Sequence, residues 1–270
     1  MNPGPQPPTP VRTRRPPPPF RRMTVRRLER VTPRLVRVTF AGEELRGFSV
    51  DEPAASVRLL LPWPGTAELE VPTWQRNAFF LPDGRRPPVR TLTPLRVDPE
   101  APALDLEIVV HGGGVASEWA EAAAPGDPAA ISGPARGYPV DGDAPAFLLV
   151  GDESAIPAVS QLLEALPART PVQVHLEVSH ADARRALPDH PSAAVEWHDQ
   201  AAEGPPGGTL VAAVQNLDLV PGTRVWAAGE AAAMQRIRRH LFEEREVPRP
   251  QTWVRGYWKH GRSGDSDDDT

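Results

Sequence analysis

Apolar and polar positions change rhythm once along the chain. From about residue 22 to 140 the apolar runs are short, rich in Val, Leu and Thr, and cut by Pro, Gly and Asp. Met23-Thr24-Val25-Arg26 and Leu35-Val36-Arg37-Val38-Thr39-Phe40 alternate, which puts arginines on the solvated faces of strands. The pattern predicts strands at 23–30, 34–41, 55–62, 88–96, 103–111 and 128–132, with one helix around 117–124. Short strands punctuated this way suggest a sandwich or a small barrel.

From about 145 the rhythm becomes strand–helix–strand. Ala146-Phe147-Leu148-Leu149-Val150 reads as a fully apolar strand, Gly151-Asp152-Glu153-Ser154 as a turn and 155–166 as a helix. Strands at 172–178 and 194–197, a helix at 209–217, a strand at 224–228 and a helix at 231–244 follow. Apolar strands that alternate with helices argue for a parallel sheet covered on both faces. The division is therefore a β-domain over 21–141 and an α/β domain over 142–262. Residues 1–20, with nine prolines, read as a disordered Pro/Arg-rich arm, and 263–270 as a disordered acidic tail. No internal repeat is visible.

Composition narrows the chemistry. The 270 residues contain no cysteine, which excludes disulfides, thiolate metal sites, Cys-ligated iron–sulfur clusters and a cysteine nucleophile. No apolar run approaches membrane-helix length, and the first residues lack the apolar core of a secretory signal. The expectation is a cytoplasmic protein without a membrane partner. Residues 1–40 carry ten arginines against one acid, Glu29, within a chain of net charge −5. Because several of these arginines alternate with apolar residues, they are read as strand faces rather than as a nucleic-acid site. Arginine outnumbers lysine 29 to 1, a compositional bias whose exception is Lys259.

Three segments could carry chemistry. Arg90-Thr91-Leu92-Thr93-Pro94-Leu95-Arg96 ends a predicted strand; its arginine suits a phosphate and its threonine a ring nitrogen, though an ordinary polar strand reads the same way. His111-Gly112-Gly113-Gly114-Val115-Ala116-Ser117-Glu118-Trp119 joins a strand to a helix, with Ser117 as the expected N-cap of an anion cradle or of a plain glycine turn. Gly256-Tyr257-Trp258-Lys259-His260-Gly261 sets an aromatic pair before two basic groups, or is a last edge strand with both aromatics in the core. Small-residue turns also follow two strands, at Gly151-Asp152-Glu153-Ser154 and Ala228-Gly229-Glu230, where helix N-termini favour anions. There is no GxGxxG fingerprint. His180, Asp182, His190 and His198 lie in a Pro-rich stretch and are not read as a metal set.

Taken in order, R-T-x-T-P, H-G-x-G-x-A-S-x-W, G-D-E-S-A-I-P-A, W-A-A-G-E and G-Y-W-K resemble the siderophore-interacting proteins, flavin-dependent ferric-siderophore reductases related to ferredoxin–NADP reductases. The resemblance runs from about 20 to 262. It implies an antiparallel six-stranded Greek-key β-barrel that binds FAD, followed by a parallel α/β nicotinamide-binding domain, ferredoxin-reductase-like. It implies that Arg90, Thr91, Leu92, Thr93, Glu107, Val109, His111, Gly114, Ala116, Ser117, Ser154 and Trp258 meet FAD. Arg90 would take the phosphates, Leu92 the place of the aromatic stacked on the isoalloxazine, and Thr93 the neighbourhood of flavin N5. Gly151, Asp152, Glu153, Ala228, Gly229 and Glu230 would handle NAD(P)H. Three residues depart from the family pattern: Leu92 for Tyr, Leu95 for a basic residue and Val115 for Pro.

The implied activity is electron transfer from NAD(P)H, or from reduced ferredoxin, through FAD to Fe(III) held in a siderophore, with no protein acid, base or metal ligand required. An anionic ferric siderophore needs a basic approach, for which Lys259, Arg96 and Arg136 are the candidates. Two rivals share the sequence features: a flavin reductase with another acceptor, and a flavin-free binding module, which the aliphatic Leu92 favours. Arg184 and Arg185 follow a predicted strand near where a 2′-phosphate would be met, so the choice of NADH or NADPH stays open. The expected assembly is a monomer or weak dimer.

Overall fold

The N-terminal rhythm resolves into nine strands in a computed structural model that describes residues 16–75, 77–98 and 100–262. They are β1 (Arg21–Thr32), β2 (Leu35–Ala41), β3 (Val57–Leu60), β4 (Thr73–Gln75), β5 (Ala78–Phe80), β6 (Val89–Leu92), β7 (Pro94–Asp98), β8 (Ala103–Val109) and β9 (Pro128–Ser132). Seven of them form one antiparallel sheet in the order β6-β3-β9-β1-β2-β8-β7. β6 and β7 lie on opposite edges of that sheet, yet only Thr93 separates them in the chain. The sheet must therefore curl until its edges meet at Thr93. This corrects the expected six strands: the single strand read at 88–96 breaks at the corner, where Pro94 has no N–H to continue a ladder. The small β4–β5 hairpin has no counterpart in the expected set. Inside the curl, Phe40, Leu59, Leu104, Leu106 and Ile131 are fully buried.

The second half carries β10 (Phe147–Asp152), β11 (Val172–Val178), β12 (Ala193–Asp199), β13 (Arg224–Glu230) and β14 (Thr252–Trp258), all parallel in the order β12-β11-β10-β13-β14. Helix α1 (Val115–Ala122) belongs to the barrel. Helices α2 (Ile156–Ala165), α3 (Gly208–Asn216) and α4 (Ala231–Arg239) cover the sheet. β10 is apolar from Phe147 to Val150 because both its faces are buried: Phe147 and Leu149 pack with α2 on one side, Leu148 and Val150 with α3 and α4 on the other. Each such side chain contributes about 1.5–3 kcal/mol. The helix expected to run to 244 ends at Arg239 and continues as a wider π turn, His240–Glu244, in which His240 Nδ1 bonds Glu244 Oε2 at 2.7 Å. The predicted arm is shorter at its inner end, since the Pro18 carbonyl accepts a hydrogen bond from Ser132 (2.5 Å) and the Phe20 ring packs on Phe79. Residues 1–15 of the arm and the acidic tail lie outside the described residues.

Charged groups join the two halves. Arg34, in the β1–β2 turn, donates to Glu153 at 3.3 Å. Gln161 of α2 donates to the Pro94 carbonyl (2.6 Å) and accepts from the Ala54 N–H (2.8 Å). Glu107 of β8, with 0% of its side chain exposed, is held by Arg37 Nη2 (2.7 Å) on one oxygen and by Arg185 Nη2 (2.9 Å) on the other. The same Arg185 atom reaches Ser160 Oγ of α2 at 3.1 Å. Glu107→Ala leaves two guanidinium groups without their shared carboxylate, one of them buried. It is expected to cost about 3–5 kcal/mol, as for other broken buried pairs, measured by urea unfolding. Arg34→Ala, which removes the more exposed partner of the Arg34–Glu153 pair and leaves the other contacts of Glu153 in place, is expected to cost only about 1 kcal/mol.

Candidate flavin and nicotinamide site

Strand order reverses at β10. The chain moves outward through β11 and β12, then returns to the other side for β13 and β14. The carboxyl ends of β10 and β13 thus form the switch point where ligands of open α/β sheets bind. Those ends are the two turns singled out in the sequence, and Asp152 ties them together. Its Oδ1 accepts from the Ser154 N–H (3.0 Å) and hydroxyl (2.5 Å). Its Oδ2 accepts from the Glu230 N–H (2.9 Å) and from Trp258 Nε1 (2.7 Å). A Cβ at Gly229 would stand 2.6 Å from Asp152 Oδ2, so this approach requires glycine. Burial pushes the Asp152 carboxyl up to about 6 against these hydrogen bonds.

The neighbouring acids are equally engaged. Glu153 accepts from the Ser179 N–H (2.6 Å) and hydroxyl (2.5 Å) as well as from Arg34. Glu230 caps α4 through the Ala233 N–H (2.9 Å) and accepts from the His260 N–H (3.2 Å). Asp152, Glu153 and Glu230 therefore shape the turns with both carboxylate oxygens, while Gly151, Ala228 and Gly229 are buried small residues between them. Ser154 is half-buried beside Asp152.

The last strand splits the aromatic pair. Trp258 is 39% exposed and held by its bond to Asp152. Tyr257 points the other way, edge-on to Trp226 at 6.4 Å, in a cluster where Trp226 stacks on Trp253 at 5.4 Å. Only one of the two aromatics is thus a core residue. The Tyr257 phenol stands beside the Thr93 hydroxyl at the barrel corner without a well-formed hydrogen bond. Burial pushes that phenol up to about 12. Thr93 Oγ1 is buried with no hydrogen-bond partner. Tyr257 was not among the expected site residues; the two-residue alternation of β14 was the signal that separated it from Trp258.

On β6, Arg90 is half-buried with Nη1 bonded to the Val89 carbonyl (2.8 Å), and Thr91 is exposed. Leu92 packs against the barrel core. Val109, the last residue of β8, is half-buried, and His111 beyond it is exposed. Helix α1 begins one turn earlier than expected: its N-cap is Gly114, with φ 82°, and no side chain caps it. Ser117 is therefore not the N-cap. It lies buried in the first turn and accepts from the His111 N–H at 3.0 Å, while Ala116 packs on the barrel core. A Cβ placed at Gly112 or Gly113 would meet nothing, so the approach to the free N–H groups of this turn is open.

Three charged residues weighed in the sequence have partners within the protein. Arg185 does not wait for a 2′-phosphate, because it is buried on Glu107, and Arg184 is paired with Asp199 at 2.7 Å. Glu107 is likewise enclosed by Arg37 and Arg185 rather than open to a ligand. The histidine set also differs from the one weighed in the sequence. Among the described residues His198 groups with His175 and Glu196, not with His180, Asp182 and His190. Lys259, Arg96 and Arg136 are exposed, each on a different segment, and none is ion-paired with an acid among the described residues. Between pH about 4 and about 6 the native chain keeps a proton on Asp152 that the unfolded chain releases, so this group stabilises the fold less as pH rises, by up to about 3 kcal/mol. Asp152→Asn turns an amide N–H toward donors and is expected to lose about 1–3 kcal/mol. In thermal unfolding the gap between wild type and variant narrows from pH 4 to 6.

Two family models match the chain. One described as siderophore-interacting FAD-binding domain covers residues 18–138, and one described as siderophore-interacting protein covers 144–261. The chain is 31% identical over 246 residues to the NADPH-dependent ferric-chelate reductase of Escherichia coli, covering 88% of this chain and 92% of that protein. It is 27% identical over 239 residues to the ferric vibriobactin reductase ViuB of Vibrio cholerae, covering 86% and 87%. The crystal structure of a siderophore utilization protein from T. fusca superposes with a TM-score of 0.80 at 33% identity, over 90% of this chain and 94% of that one. A ferredoxin reductase of carbazole 1,9a-dioxygenase, 16% identical, shares the fold with a TM-score of 0.60 over 88% of this chain and 69% of that one.

Proposed function

The chain belongs to the siderophore-interacting protein family, and on that premise we propose that it is an FAD-dependent reductase of ferric siderophores that draws electrons from NAD(P)H. The observation that carries this reading is the Thr93 hydroxyl, a buried donor at the corner where the barrel edges meet, beside Tyr257 but without a well-formed hydrogen bond. Such an orphan costs about 1–3 kcal/mol unless a ligand takes it. A flavin ring heteroatom suits it. The phosphates of the same group suit Arg90 and the free N–H groups at the uncapped start of α1 behind its open glycines. The donors present thus fit FAD. Held there, FAD would supply the redox chemistry that links a two-electron hydride donor to a one-electron iron acceptor.

The chain's own part is to bind and to shield. Asp152 fixes the Trp258 indole and thereby the exposed aromatic face next to the switch point. Gly151, Ala228 and Gly229 keep the turns free of side chains for a nicotinamide ring. Lys259, Arg96 and Arg136 attract an anionic ferric chelate. Reduction makes the iron a softer, more labile ion for hard oxygen ligands, so it leaves the siderophore. No protein proton donor is needed for that exchange. The Leu92 departure favours the second reading, a flavin-free binding module, because its side chain is committed to the barrel core.

Purified protein supplied with FAD is expected to be yellow, to oxidise NAD(P)H only with a ferric siderophore present, and to deliver Fe(II) to a chromogenic chelator. A colourless protein after FAD addition supports the binding module instead. In the same assay Lys259→Ala raises KM for an anionic ferric siderophore and leaves FAD content unchanged; an unchanged KM removes Lys259 from the site. Thr93→Val separates ligand binding from folding. The flavin-free protein loses little stability, since the hydroxyl makes no well-formed hydrogen bond there, whereas the dissociation constant for FAD rises roughly fivefold to tenfold.

A further inference from the structure

On the face of the sheet that α3 covers, β11 and β12 bring together three side chains that the reductase chemistry does not use. His175 pairs in register with Glu196, and His198 follows Glu196 by two residues, so all three project from one face. His175 Nδ1 and His198 Nε2 face each other at 3.0 Å. The two Glu196 oxygens stand 3.7 and 3.8 Å from those nitrogens, one opposite each. A carboxylate that simply paired with an imidazole would close to about 2.7–2.9 Å on one N–H. Glu196 instead straddles the pair. Its side chain is 64% exposed and free to move.

We propose that His175, His198 and Glu196 form a binding site for one divalent first-row transition ion. Metal bonds of about 2.0–2.2 Å to imidazole nitrogen and carboxylate oxygen separate neighbouring ligand atoms by about 2.8–3.6 Å, from the octahedral to the tetrahedral angle. The two nitrogens already meet that spacing, and Glu196 needs to close by less than about 1 Å. Two imidazoles and one carboxylate suit Zn(II), Co(II) or Fe(II), with the remaining positions open to water on the exposed side. The other acid on this face is not available. Glu177 is buried and accepts from the Gly207 N–H (2.6 Å), the Thr209 N–H (3.1 Å) and the Thr209 hydroxyl, which anchors the start of α3. That anchor also keeps the metal-facing strands in place beneath the helix. The site stands independently of the reductase reading, because none of its residues touches the switch point or the barrel.

Tag-free full-length protein titrated with Co(II) is expected to develop visible d–d bands that saturate at one equivalent and are displaced by one equivalent of Zn(II). His198→Ala is expected to weaken binding more than tenfold, since even loss of a group that only supports a ligand costs about 10–100-fold. Glu196→Gln, at an exposed position that does not threaten folding, weakens it several-fold. Circular dichroism and flavin content stay those of the wild type in both variants. Absence of saturable bands at one equivalent, or binding by either variant as tight as that of the wild type, overturns the proposal.

Discussion

One buried carboxylate, Asp152, receives hydrogen bonds from the ends of three adjacent strands. Ser154 follows β10, Glu230 closes β13 and Trp258 closes β14. The bonds reach across the switch point, so the spacing of the two turns and the pose of the exposed indole follow from a single group. Glycine at 229 is the steric condition for it, and the raised proton affinity of the carboxyl is its energetic consequence. If the three strand ends were not tied there, neither the two turns nor the exposed indole beside them would have a fixed shape.

The same economy explains the uneven charge of the chain. Two arginines of the basic first forty residues serve the junction: Arg34 meets Glu153 of the other half, and Arg37 holds Glu107, which Arg185 reaches from the other half. These two arginines serve ion pairs within the protein. The junction also brings Tyr257 of the last strand to Thr93 of the barrel corner. A candidate flavin pocket thus exists only because residues about 160 positions apart in sequence meet there.

Local periodicity made much of the fold legible. The fully apolar β10 and the strand–helix alternation after residue 145 specify a parallel sheet, because a strand buried on both faces has no polar side to show. The barrel strands were legible too, apart from 88–96, where polarity and β-propensity continue through a corner that only sheet closure demands. The cap of α1 was misjudged for a related reason. Ser117 suits a cap by type, but Gly114 takes the left-handed conformation that starts the helix, leaving Ser117 to bond the His111 N–H.

By itself, the sequence determined which residues alternate, which turns carry glycine, that no thiol chemistry is available, and which short motifs stand in the order of one family. These are properties of neighbours in the chain. Only the tertiary structure decided that Asp152, Glu153 and Glu230 spend their oxygens on hydrogen bonds within the protein, that Arg185 is a partner of Glu107, that Thr93 keeps an unpartnered hydroxyl, and that His175 meets His198. A charge or a hydroxyl carries no sign of its partner in sequence. Its role is set by what the fold brings within about 3 Å, and that is a property of the packed chain.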